Sequence, residues 1–269
     1  MALSSGAQQG FDLCVALQAL RHVRHAVGEP LRALTVAIAL QGLAVLCLLE
    51  ALAVIAPFAL GDRVALFALL LQPLGALGFF GLVFGWFLVA SVVVLPAALI
   101  AGWQFPHLIA LLGRGRREVG QHVGLAYACN TAGSILGSLC GGFGLLPLIS
   151  APGAWRLCAL LLAGLGLGAL AVAWREARSD EETAARLRRP AVFVPLLLLI
   201  LFGGALLLQA GPSAVWRHSG IGVGRSNLRS FAPNALRAYE SARNRSIIWE
   251  RDGVESSVAL SVNDTGMAF

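Results

Sequence analysis

Of the 269 residues, 58% are hydrophobic and only 13% charged, and the mean hydropathy is +0.78. A water-soluble domain is about 45–50% apolar and about 25% charged, so this composition excludes a soluble enzyme, a disordered chain, a disulfide scaffold and an autonomous nucleic-acid binder. The net charge is +6, but all 20 basic residues are arginines. In so apolar a chain, arginine marks loops kept on the cytoplasmic side of a membrane and does not point to nucleic acid.

Between residues 33 and 174 the only charges are Glu50, Asp62, Arg63, Arg114, Arg116, Arg117, Glu118 and Arg156. This predicts an all-α polytopic membrane protein of five or six transmembrane helices with a short C-terminal β-hairpin element. Four regions follow: a basic segment at 1–32, a helical bundle at 33–210, a juxtamembrane linker at 211–245 and a β element at 246–269. The first region does not read as a signal peptide, because its apolar run precedes Arg21 and Arg24 instead of following a basic start.

Spans are predicted at 33–60, 87–112, 121–148, 153–174 and 190–210, each matching the roughly 20 apolar residues a bilayer core requires. The stretch 64–84 is long enough to cross, but Pro73, Gly75, Gly78 and Gly81 weaken it as a straight helix. If it does not cross, Arg21, Arg24, Arg32, Arg114, Arg116, Arg117, Arg175, Arg178, Arg186, Arg188 and Arg189 share one side. Arg63 and Arg156 are then alone opposite them. The positive-inside rule favours that arrangement, and it carries the chain beyond Gly211 out of the cytoplasm. With six crossings the tail returns to the side of the N-terminus.

The third span is patterned. Gly120, Gly124, Ala128 and Ala132 recur every fourth residue, as do Gly133, Gly137 and Gly141. Small residues at this spacing let helix backbones approach closely in lipid and suit helix–helix self-association. Tyr127, Asn130, Ser134 and Ser138 lie beside them, either as a ligand-facing seam or as interhelical hydrogen-bond groups. Glu50 is the one acid well inside a strong span, a candidate proton or cation site; the alternative places it near the far end of a tilted helix, reaching toward Asp62 and Arg63. Gln41, Gln72, Gln104 and His107 are weaker candidates of the same kind.

Cys14, Cys47, Cys129, Cys140 and Cys158 lack metal-ligand spacing and read as small core-filling thiols. Gly164, Gly166 and Gly168 read as packing glycines. Gly220, Gly222 and Gly224 are glycine-spaced like a phosphate loop, but no strand precedes them, so they read as a juxtamembrane turn. In the tail, the alternating run from Ser246, with a turn signal at 263–266, predicts a β-hairpin. No residue constellation here supports catalysis or a metal site.

Three segments carry a resemblance. Val123, Gly124, Tyr127, Ala128, Asn130, Thr131 and Gly133, following the basic loop at 114–118, resemble a helix motif of membrane-bound spermidine synthase-like proteins. Those proteins fuse a major-facilitator-like bundle to an aminopropyltransferase-like domain. GPSAVWRHSGIGVGR resembles their junction, and WERDGVESSVALSV resembles the first strand of the transferase's N-terminal hairpin domain. The resemblance covers about residues 20–269. It implies a bacterial inner-membrane location, a polyamine ligand, and aminopropyl transfer from decarboxylated S-adenosylmethionine in an intact relative. Glu255, Ser256 and Ser257 occupy the place of that family's substrate-facing strand residues, without its aromatic and Gln. The family's donor loop and catalytic aspartates have no counterpart, so the chain reads as a middle piece without catalysis of its own, with a polyamine or cation transporter fragment and a membrane scaffold as alternatives.

Overall fold

The computed structural model describes residues 30–112, 119–178, 190–218, 247–254 and 256–262, with 184, 185, 234, 235, 237, 238 and 241. The first helix, α1 (Pro30–Leu60), buries Ala37, Leu40, Ala44, Cys47, Ala51, Val54 and Phe58. Their spacing alternates between three and four residues, the seam along which one helix packs against others. α1 is accordingly the hub, and its most extensive contact is with α5 (Leu146–Ala177), followed by α3 (Phe79–Leu112) and α6 (Pro190–Leu207). α4 (Val119–Leu139) joins through Ala126 and Cys129, which enter the same core cluster as Leu43, Ala44, Cys47 and Leu108.

Among the described residues, three helical runs are long and apolar enough to cross a membrane: Val36–Leu60, Phe79–Leu112 and Gly120–Ala177. The last has 58 residues and is not one rod. Residues Cys140–Leu145 are wound as a π-helix, and Ser150 breaks the helix at φ 61°, ψ 170°. Pro152 two residues on cannot donate a backbone hydrogen bond, which is why the break expected between 148 and 153 falls here. Val192–Leu207 is a shorter apolar helix; α6 stops three residues before the predicted 210, with Gly211 at φ +79° beyond it.

The stretch 64–84 is not a continuous helix. α2 (Asp62–Leu70) has only nine residues, a 3-10 turn follows at Gln72–Leu77, and Gly78 at φ +84° redirects the chain into α3. At about 1.5 Å per residue α2 spans about 14 Å, half a bilayer core. α3 therefore begins at Phe79, eight residues before the predicted 87. Gly81 permits the turn, because a Cβ there would stand 2.1 Å from the Leu74 carbonyl oxygen.

After the five-residue helix α7 (Ala214–His218), β1 (Ile247–Asp252) and β2 (Ser257–Ser261) form an antiparallel hairpin. Its turn lies at 253–256, closed by Gly253 N–H donating to the Ser256 carbonyl at 2.9 Å. Gly253 allows the close approach, because a Cβ there would stand 3.1 Å from the Ser256 carbonyl oxygen. The expected turn at 263–266 lies outside the described residues.

Candidate functional site

Two features gather polar chemistry, and they lie in different parts of the fold. The first is inside the bundle. Gln104 of α3 is 1% exposed and donates from Nε2 to Cys47 Sγ at 2.9 Å. Its Oε1 accepts no hydrogen bond among the described residues. One turn along α1 from Cys47, on the same face, Glu50 is 5% exposed. His107, one turn from Gln104, pairs its Nε2 with the Ala39 carbonyl at 2.8 Å, lying across Gly42, where a Cβ would stand 3.1 Å from the imidazole.

The idea that Glu50 reaches to Asp62 and Arg63 is not borne out. Ten residues of helix, about 15 Å of rise, separate it from the end of α1 at Leu60, and Asp62 Oδ1 accepts from Ser213 N–H at 2.7 Å. Burying a carboxyl at mid-helix is costly without polar neighbours, and Cys47, which accepts from Gln104, lies one turn away along α1.

The α4 candidates do not converge on Glu50. Tyr127 is 57% exposed and meets Phe105 edge-on at 5.2 Å; Asn130 and Ser134 are half-buried. Thr131 Oγ1 donates back to the Tyr127 carbonyl, a local bond within α4. A Cβ at Gly120 or Gly124 would meet nothing within 4 Å, so this part of the small-residue face takes no part in internal packing among the described residues. Gly166 of α5 does: its Cβ would stand 3.0 Å from Leu48 Cγ and 3.1 Å from the Ala44 carbonyl oxygen.

The second feature is at the end of the bundle where α1 finishes. The break at Ser150 frees the N–H of Ala151, and Asp252 of β1 accepts it through Oδ2 at 2.6 Å. A carboxylate at a helix start satisfies an orphan donor and complements the helix dipole. Arg217 and His218 of α7 both pair with Glu250, the histidine at 3.0 Å. Trp216 and Leu69 are buried together with Ile247 against them. Arg156 of α5 ties in α6 through the Gln209 carbonyl at 2.7 Å and lies 4.9 Å over the Phe58 ring. The hairpin is therefore docked, which answers how a two-stranded unit persists when it is marginal in isolation.

Among the transferase-like positions, Ser257 Oγ donates to Asp252 Oδ1 and is exposed, as is Ser256; Glu255 lies outside the described residues. The acids that do the docking, Glu250 and Asp252, were not singled out in the sequence. The Asp-Gly pair was the available signal.

Burial by itself would raise the Asp252 carboxyl. The hydrogen bonds from Ser257 and Ala151 and the charges of Arg217 and His218 outweigh it and hold the pKa below the ordinary value. A depressed folded pKa contributes stability that is present above the unfolded pKa and is lost as pH falls through the folded one. Docking should thus persist through mildly acidic pH and fail only below the usual carboxylate range. Replacing Asp252 with Asn should weaken docking by about 0.5 kcal/mol at neutral pH and flatten this acid limb, as read by tryptophan fluorescence during acid titration.

No family model, curated protein or solved structure matches the chain.

Proposed function

We propose that the chain is a membrane-embedded helical platform that holds an extramembrane β element against one end of its bundle. The observation that carries this reading is the Asp252 carboxylate capping Ala151 at the break before the body of α5. The reading takes α1, α3, α4, α5 and α6 as five crossings, with 62–78 lying along the surface. The ties among Asp62, Arg156, Gln209 and Ser213 support it, because they join the end of α1, the start of α5 and the end of α6. The arginine-rich connections then share the opposite, cytoplasmic side, and the hairpin faces away from the cytoplasm of a bacterial inner membrane.

Aminopropyl transfer to a polyamine rests on the resemblance alone. A donor such as decarboxylated S-adenosylmethionine, made in the cytosol, would be separated from the hairpin by the membrane, so the geometry favours the platform over catalysis. A cation-carrying role for Glu50 rests on its burial. The test is a pair of fusions after Phe269 expressed in bacterial cells. Alkaline phosphatase, active only outside the cytoplasm, should be active, and a green fluorescent protein that matures only inside should be dark. The reverse pattern would overturn the five-crossing platform.

A further inference from the structure

We propose that a cleft between α1, α5 and α6 binds the acyl chain of an anionic phospholipid, with the headgroup held by Arg178. This rests on the membrane reading above. The cleft is a shallow slot with a volume of about 50 Å³, so a chain lies along it without being enclosed. Leu170 and Trp174 of α5 and Phe193, Leu197 and Ile200 of α6 line it, and Gln41 of α1 is the one polar side chain among its walls. Phe193 and Leu197 are exposed on its outer side, so the cleft opens sideways, toward whatever surrounds the bundle.

The wall has a direction. Leu170, Trp174 and Arg178 follow at intervals of four, one stripe of α5 running from the cleft to the helix end. Arg178 stands about 6 Å of helix rise beyond Trp174 and is exposed, as is Arg175. Glu176, two residues from either Trp174 or Arg178, faces another side of the helix. The Trp174 and Phe193 rings, 6.4 Å apart, flank the approach to the charged end.

An apolar slot with aromatic flanks and a cation at one end matches a lipid: tails in the slot, aromatics at the interface, phosphate on the guanidinium. A small soluble anion would have no use for the slot, and an apolar metabolite none for the arginine. Among phospholipids the charge selects an anionic headgroup, because a zwitterionic one carries its own compensating cation.

The full chain is reconstituted into phosphatidylcholine vesicles carrying acyl-spin-labelled phosphatidylglycerol or phosphatidylcholine, and electron paramagnetic resonance reads the motionally restricted lipid. Co-flotation with the vesicles after alkaline washing is checked first; its failure defeats the membrane reading, not the lipid site in particular. With flotation intact, phosphatidylglycerol should be preferred about fivefold, from about 1 kcal/mol for one arginine at a membrane surface. Arg178→Gln should abolish the preference while leaving restricted lipid present. Ile200→Trp, narrowing the slot, should reduce the restricted component for both lipids, with circular dichroism confirming that its helices are retained. Equal binding of the two lipids by the wild type, or a preference unchanged in Arg178→Gln, overturns the proposal. Loss of the preference to millimolar inorganic phosphate alone would show a bare anion site and overturn it too.

Discussion

Gly211→Ala is expected to destabilise the hairpin-bearing end of the bundle by about 3 kcal/mol, from left-handed backbone strain of about 1–2 kcal/mol and overpacking of about 1–3 kcal/mol. Gly211 has φ +79°, and a Cβ there would stand 2.3 Å from Phe58 Cζ. Phe58 cannot retreat cheaply. It is buried in a cluster with Ile55, Ala159 and Leu162, it meets Trp155 at 6.2 Å, and the Arg156 guanidinium lies over its face. Gly61 closes the other side, where a Cβ would stand 3.0 Å from the Gly211 carbonyl oxygen. Thermal unfolding in detergent, followed by tryptophan fluorescence, should show the loss. Adding Phe58→Leu should recover the steric part and leave the backbone part, a non-additive pair. An unchanged midpoint for the single variant would remove Gly211 as the pivot between α6 and α7.

Gly166→Leu should be the second severe change, with Gly164→Leu and Gly168→Leu as its controls. The three glycines are alike in sequence. At Gly166 a side chain would enter α1 between Leu48, the Ala44 carbonyl and Cys47, whereas at the other two nothing lies within 4 Å. In lipid, close backbone approach substitutes for hydrophobic burial as the force holding helices together, so separating α1 from α5 loosens the most extensive pair in the bundle. The expected outcome is a loss of monodisperse folded protein for Gly166→Leu and near wild-type yield for both controls. Maleimide labelling of Cys47 and Cys158, both buried, should rise with it. Equal effects at all three positions would contradict the seam.

Much of the helical layout was legible because the signals are local. Apolar runs ended where proline, glycine and arginine accumulate, so the first span, the break near 150 and the weakness of 64–84 could be read directly. The start of α3 was missed by eight residues because Gly78 and Gly81 read as helix breakers, whereas Gly81 is the position that lets the helix begin beside Leu74. Of the candidate residues, Glu50 stood out by charge and is buried. Tyr127 stands out only by its place in the α4 pattern and faces outward.

The chain's own composition determined that it is helical and apolar enough for a bilayer, that 64–84 is a poor crossing, and that a β-hairpin follows the helices. These depend on composition and on contacts only a few residues apart. Only the tertiary structure decided which small residues form the seam, that Gln104 lies against Cys47 one turn from Glu50, and that Asp252 caps a helix 101 residues earlier. Each depends on which helix faces which, and that is governed by side-chain shape across the whole bundle, which no local pattern along the chain encodes.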